Sequence, residues 1–187
     1  MTSSSATAGG ACTGTGVGPA NIDKVIAVVK AYTTRVGEGQ FPTEFEKGLM
    51  ERIRNRGKEF GATTGRPRRC GWFDAVIVRH AVVVNGLDEI VITKLDVLDE
   101  MEEIKICTGY KYKGKVYRDF PSDIEILNSC EPVYESCDGW MKDTTLVTRY
   151  KDLPGNARLY LKRLSKLLDV KIGMVSVGSE REQAFKL

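Results

Sequence analysis

Glu89-Ile90-Val91-Ile92-Thr93, followed at once by Lys94-Leu95-Asp96, is the stretch on which the fold turns. Ile90, Val91 and Ile92 are apolar and β-branched, the run is too short for a helix, and polar residues flank it, so it reads as a buried strand. A second such run, Lys171 to Val177, is the last strand predicted and ends in Ser176-Val177-Gly178. Apolar residues at helical spacing precede both. Helices, a buried strand, a helix and another buried strand predict an α/β fold: a layered, mostly parallel sheet flanked by helices. In such sheets ligands sit beyond the carboxyl ends of the strands, where Lys94-Leu95-Asp96 and Ser176-Val177-Gly178 both fall.

Working outward, Pro19 and Asn21 open a predicted helix with Ile22, Val25, Ile26, Val29 and Tyr32 on one face, ending near Val36-Gly37-Glu38-Gly39. Thr43 and Glu46 have the spacing of a capping box for a second helix carrying Phe45, Leu49 and Ile53, closed around residues 55–57. Trp72 to Val84 reads as a mostly buried helix stopped by Asn85-Gly86. Ile104 to Tyr110 and Val116 to Phe120, joined at Lys113-Gly114, predict a β-hairpin insertion. Residues 121–150 have mixed strand and loop character. Pro154-Gly155-Asn156 starts a basic helix with Leu159, Leu164, Leu167 and Leu168 inward. The opening stretch carries no charge before Asp23 and is small, hydroxyl-rich and glycine-rich. Composition reads it as a flexible tail, or as a glycine and threonine loop that could cradle phosphate.

Between the second and third predicted helices lies Gly61-Ala-Thr-Thr-Gly-Arg-Pro-Arg-Arg-Cys-Gly-Trp72, with Arg66, Arg68 and Arg69 inside four residues. Arginine's planar fork pairs bidentately with carboxylate or phosphate. Gly65 lets the backbone bend toward a ligand, and Pro67 stiffens the segment. The loop suits an anion; the plain alternative is a solvated basic turn.

The 187 residues, 42% hydrophobic and 28% charged, are expected to form a single domain over 1–187. A net charge of +3 permits an anionic ligand without demanding nucleic acid. No apolar run approaches bilayer length, so no membrane partner is expected. Five cysteines without a C-x-x-C pair, and one histidine, His80, do not form a zinc-site pattern and fit a reduced, cytoplasmic setting. His80 reads as a packed structural residue within its helix.

A strand ending in Thr93-Lys94-Leu95-Asp96 resembles the guanine-reading segment of GTP-binding proteins. A carboxylate can accept two hydrogen bonds from guanine N–H groups, which adenine does not present, and a lysine stem can lie along the base. The alternative is a turn in which Asp96 or Asp99 caps a following helix. The stretches TSSSATAGGACTGTGVGP, VVKAYTTRVGEGQFPTE, FGATTGRPRRCGWFD, ITKLD and VSVGSERE, in this order, resemble the carboxyl-terminal part of adenylosuccinate synthetase. The resemblance covers essentially the whole chain. It implies a P-loop NTPase-like fold with the phosphate-loop half absent, and the GTP-dependent, Mg2+-assisted ligation of IMP and L-aspartate to adenylosuccinate in AMP biosynthesis. It also implies contacts of Thr2, Val36, Gly37 and Arg66 with IMP. Thr63, Thr64, Gly65, Arg66, Arg68 and Arg69 would bind aspartate. Arg68, Lys94, Leu95, Asp96, Ser176, Val177 and Gly178 would bind GTP.

The family's catalytic base, acid and magnesium ligands have no counterpart in these residues, so no catalytic or metal-ligating residue is assigned. The chain is expected to be a truncated or split form, inert alone. Its expected partners are IMP, aspartate, GTP, a complementing amino-terminal half and a second subunit of a homodimer. Two other readings stand beside it. One is a guanine-nucleotide binder without turnover; the other is a nucleic-acid-binding module built on Arg66, Arg68, Arg69 and Trp72, which steep salt dependence would reveal.

Overall fold

The computed structural model describes residues 5–187, which leaves Thr2 outside the described residues. In chain order the elements are α1 (Ala8–Thr15), β1 (Ile26–Lys30), β2 (Thr33–Arg35), α2 (Lys47–Arg56), β3 (Arg69–Gly71), β4 (Phe73–Asp74) and α3 (Ala75–Asn85). There follow β5 (Glu89–Thr93), β6 (Glu103–Tyr112), β7 (Lys115–Tyr117), α4 (Ile124–Ser129), β8 (Glu131–Asp138), α5 (Gly155–Leu168), β9 (Lys171–Ser176) and β10 (Ala184–Lys186).

The central sheet has the order β1-β5-β9-β10. β5 runs parallel to both β1 and β9, and β10 closes the edge antiparallel to β9. The register sets Lys30 beside Thr93 and Val175 beside Ile92, so three carboxyl ends meet at one edge. Ile90 and Ile92 are fully buried. A second sheet, β4-β6-β7 with β8 paired to β6, packs alongside, and β2 pairs with β3 as a short ribbon. The β6–β7 turn has positive φ at both Lys113 and Gly114, the geometry that tight hairpins require. The fold is thus α/β, with mixed sheets flanked by helices.

Four expectations about the elements themselves are corrected. The predicted first helix is instead β1. Its apolar spacing fits a strand equally well, with Ala27 and Val29 packed on the core and Val28 72% exposed, and pairing to β5 decides between the two. The opening stretch holds a helix, α1, although it buries no side chain. Thr7 caps its first turn by accepting from Gly10 N–H, Gly16 ends it in the left-handed region, and Ala8 N–H reaches Asn85 Oδ1 at 2.9 Å. The capping box does not form: α2 starts at Lys47 with no side-chain cap. β9 is not the last strand, since β10 folds back on it.

α3 starts where Asp74 accepts from Val76 and Ile77 N–H, and it is less buried than expected, with Val83 and Val84 largely exposed. α5 turns Ala157, Tyr160, Leu161, Leu164 and Leu168 into the core, and the Tyr160 hydroxyl donates to Ala31 O at 2.7 Å. Leu159 faces outward at 63% exposure, against the sequence expectation. Truncating the fully buried Leu164 to alanine should therefore cost about 2–5 kcal/mol, whereas Leu159→Ala should stay within about 0.5 kcal/mol. Urea unfolding of the two variants checks this, and equal losses would contradict the packing described.

Candidate functional site

The Thr93–Asp99 segment builds one wall of the site. β5 ends at Thr93, whose carbonyl accepts from Ala31 N–H at 2.8 Å. Lys94 then adopts φ +59°, a left-handed conformation uncommon for lysine, and turns the chain into a short 3-10 helix over Leu95–Leu98. Leu95, Val97 and Leu98 anchor that turn in the core. Asp99 is buried beneath it, accepting from Trp140 Nε1 at 2.6 Å and from the Thr144 N–H and hydroxyl. Arg56 reaches over from α2, donating Nε–H to the Asp96 carbonyl at 3.1 Å and pairing with Asp99 and Glu100.

The parallel pairing of β5 with β9 brings Ser176-Val177-Gly178 to the same edge. There they meet residues that the sequence did not mark. Gln183, in the turn before β10, donates to Thr145 O at 2.9 Å and accepts from Glu180 N–H, and its carbonyl accepts from Val177 N–H. A β-carbon on Gly178 would strike the Gln183 side-chain amide, so a larger residue there would have to push that amide off its bonds to Thr145 and Glu180. A cavity of 290 Å³ lies between the two strand ends, lined among others by Arg56, Gly57, Lys94, Asp96, Gly178 and Gln183. Leu95 and Val177 are fully buried, so their side chains support this cavity from beneath.

Asp96 distinguishes this cavity. Its Oδ1 is buried and has no hydrogen-bond partner among the described residues. Burial, with a smaller contribution from the neighbouring Asp99 carboxylate, pushes its carboxyl up from the ordinary aspartate value. An acceptor left unpaired in such a place costs stability unless something supplies donors.

The arginine loop stands on the other side. It is closed by a bridge between Phe60 and Pro67, with Gly61 N–H bonded to Arg66 O and Gly65 N–H to Gly61 O, and Gly65 at φ +64°. Its tip, Thr63, Thr64, Gly65 and Arg66, is exposed. The Arg66 guanidinium makes no hydrogen bond or ion pair among the described residues, Arg68 uses Nη1 alone, and Arg69 is fully engaged. Nε and Nη2 of Arg69 hold the Glu44 carboxylate, and Nη1 donates to Gly39 O at 2.7 Å. Its guanidinium also lies over the Phe41 ring, 5.3 Å from the centroid. Val36 and Gly37 leave β2 beside this tie, with Val36 exposed and Gly37 at φ +81°.

Glu59 links the loop to the cavity and escaped the sequence reading, where nothing marks it between Lys58 and Phe60. Wholly buried, it accepts from Lys30 at 2.9 Å, the Tyr32 hydroxyl at 2.6 Å and Arg68 Nη1 at 2.8 Å, with Lys94 Nζ at 3.6 Å. Burial alone would raise its carboxyl, but the bonds from Lys30, Tyr32 and Arg68 outweigh it and hold it at about 2. Burial also pushes Lys30 down, which reduces the net gain from that pair.

His80, by contrast, is exposed on α3 and stacks on Phe120 at 5.1 Å, away from these groups in the sequence of elements. All five cysteines are free thiols. Among the described residues no cluster of three or more His, Cys, Asp or Glu could hold a metal ion, so no magnesium ligand is assigned to them. Among the described residues no helix is long and apolar enough to cross a membrane.

The adenylosuccinate synthetase family model matches residues 1–185. The chain is 57% identical over 187 residues to the adenylosuccinate synthetase of Desulforamulus reducens, and 56% identical over 183 residues to that of Thermodesulfovibrio yellowstonii. These alignments cover 100% and 98% of the chain but only 44% and 43% of the relatives. The chain therefore spans less than half the length of the curated relatives it matches. Its backbone is similar to that of fully ligated adenylosuccinate synthetase from Plasmodium falciparum, with a TM-score of 0.95 and 38% identity over 100% of this chain and 45% of that one. A family model matched over residues 1–185, relatives at 56–57% identity and a backbone this similar have one meaning: the chain belongs to the adenylosuccinate synthetase family.

Proposed function

We propose that the chain carries the guanine side and the dicarboxylate loop of a GTP-dependent ligase that joins IMP to L-aspartate, with GDP and phosphate as the other products. The unpartnered Asp96 Oδ1, buried at the cavity between the ends of β5 and β9, carries this reading. A fixed carboxylate there accepts the two N–H groups that guanine offers in line. Adenine presents an acceptor at one of those positions and is refused. Lys94 lies along the base, Leu95 holds the turn, and Ser176 to Gly178 close the other side.

On the loop, Arg66 and the two unused nitrogens of Arg68 can meet the carboxylates of aspartate, with Thr63 and Thr64 offering hydroxyl and backbone donors and Gly65 supplying the bend that presents them. Arg66 is also proposed to touch IMP, and Arg68 to lie near GTP. Arg69 serves as the tie that fixes the loop's base against Glu44 while Val36 and Gly37 flank the IMP ribose. Thr2, proposed to contact the IMP phosphate, belongs to the residues not described. Magnesium, which assists such a ligation, is proposed to be held by the complementing half, since among the described residues no group of three or more His, Cys, Asp or Glu is placed to hold it. A single folded unit in a cytoplasmic setting, working with a complementing half in a homodimer, completes the proposal.

Calorimetric titration of the chain with GTP, and with ATP as control, tests the reading. Saturable binding of GTP alone is expected, and equal binding of both would overturn it. Asp96→Asn should weaken GTP by tenfold or more, about 1.4 kcal/mol, and favour xanthosine triphosphate. The reader must be ionised to accept from guanine, and its carboxyl lies above the ordinary value of 3.8. GTP affinity is therefore full above that raised pKa and lost as pH falls through it, at a higher pH than an ordinary aspartate would give. Glu59, held at about 2, stays ionised throughout. A GTP affinity that is flat down to the ordinary aspartate range would count against Asp96 as the reader. The 187 residues by themselves should form no adenylosuccinate above background in a coupled assay.

A further inference from the structure

We infer that Glu59 is the positioning residue that couples the arginine loop to the base-side cavity, through one buried carboxylate that anchors both Arg68 and Lys94. For the purpose of that coupling, nucleotide on one side and dicarboxylate on the other, this rests on the function proposed above.

The geometry carries it. Oε2 of Glu59 takes Arg68 Nη1 at 2.8 Å, and Oε1 takes the Tyr32 hydroxyl at 2.6 Å and faces Lys94 Nζ at 3.6 Å. Lys30, from the carboxyl end of β1, bonds both oxygens at 2.9 Å. The backbone repeats the link: Glu59 N–H donates to Arg54 O in α2, and Glu59 O accepts from Arg68 N–H. Lys94 is held a second time, by Gly57 O at 2.5 Å, two residues before Glu59. Three cations thus share one carboxylate, leaving a positive surplus at the meeting point of two sites proposed for anions. Because Glu59 grips Arg68 by Nη1 only, the guanidinium keeps Nε and Nη2 for a ligand while its direction is fixed. Glu59 is wholly buried and does not line the cavity between the strand ends. It acts through the groups that it holds.

Neutralising the anchor while keeping its shape should release both arms. In Glu59→Gln, amide hydrogen exchange over residues 61–69 and over residues 94–98 is expected to rise together by about tenfold or more, with α5 and β9 unchanged. Glu59→Asp, which keeps the charge on a shorter stem, should fall between the two. Release of only one segment, or a rise that includes α5 and β9 equally, would overturn the coupling in favour of a local or merely structural role.

Should Glu59→Gln fail to fold, Arg68→Met provides the second measurement. Removing one arm frees carboxylate for the other, so Lys94 should be acetylated more slowly by acetic anhydride in Arg68→Met than in the unaltered chain. Equal rates would overturn the inference. Both readouts are taken without nucleotide, so a chain that fails to bind GTP would remove the proposed function and leave this coupling standing.

Discussion

The parallel pairing of β5 with β1 and β9 is the constraint on which the rest of the molecule depends. A parallel pair has both carboxyl ends at one edge, and its connections must travel back across the sheet face before the next strand begins. The path from β5 to β9 contains α5 and all of the second sheet except β4, so everything inserted there hangs from a single register. That register also decides the chemistry at the edge. Lys30, Lys94 and Ser176 follow or end three neighbouring strands, and the cations among them come within reach of Glu59 because the strands stop together. A slip of one residue would turn Ile90 and Ile92 toward the other face and carry Lys94 away from its partners.

Much of this was legible in the residues, and the failures have identifiable causes. β5, β9, the β6–β7 hairpin, the end of α2 and the stop of α3 at Gly86 all follow from local signals: short β-branched runs, turn residues and a left-handed cap. β1 is ambiguous by sequence because Ile22, Val25, Ile26, Val29 and Tyr32 fit a helical period while the unbroken apolar run over residues 25–29 fits a strand, and only the partner β5 resolves it. α1 has no apolar pattern, since it buries nothing; its capping by Thr7 and Gly16 could have been noticed. Lys94 to Asp96 and Ser176 to Gly178 could be placed at one edge in advance because parallel strands leave no other choice. Glu59, Arg56, Thr145 and Gln183 could not. Their contribution rests on contacts across 9 to 45 residues of sequence, such as Glu59 with Arg68 or Thr144 with Asp99 holding the wall beside Thr145, and no spacing announces these.

The buried acids give the strongest internal argument for where the site lies. Glu59, Asp74 and Asp99 are each nearly inaccessible, and each is satisfied. Glu59 has its three donors, Asp74 takes two helix N–H groups and the Tyr110 hydroxyl, and Asp99 takes Trp140 and Thr144. This chain therefore provides donors for carboxylates that it buries for structural reasons. Asp96 departs from that rule with an unpaired buried oxygen, two residues after a lysine in a left-handed conformation. The turn at Lys94 is repaid by the buried Leu95, Val97 and Leu98 that it places, but the Asp96 oxygen has no such return within the described residues. Its cost makes sense if the missing donor arrives with a ligand. Guanine presents N–H donors on one edge, the kind of partner that the unpaired Asp96 oxygen lacks. The same reasoning separates the arginines. Arg69 is complete within the fold, whereas Arg66 is left open and Arg68 half open, so in the proposed function recognition at the loop would fall to those two.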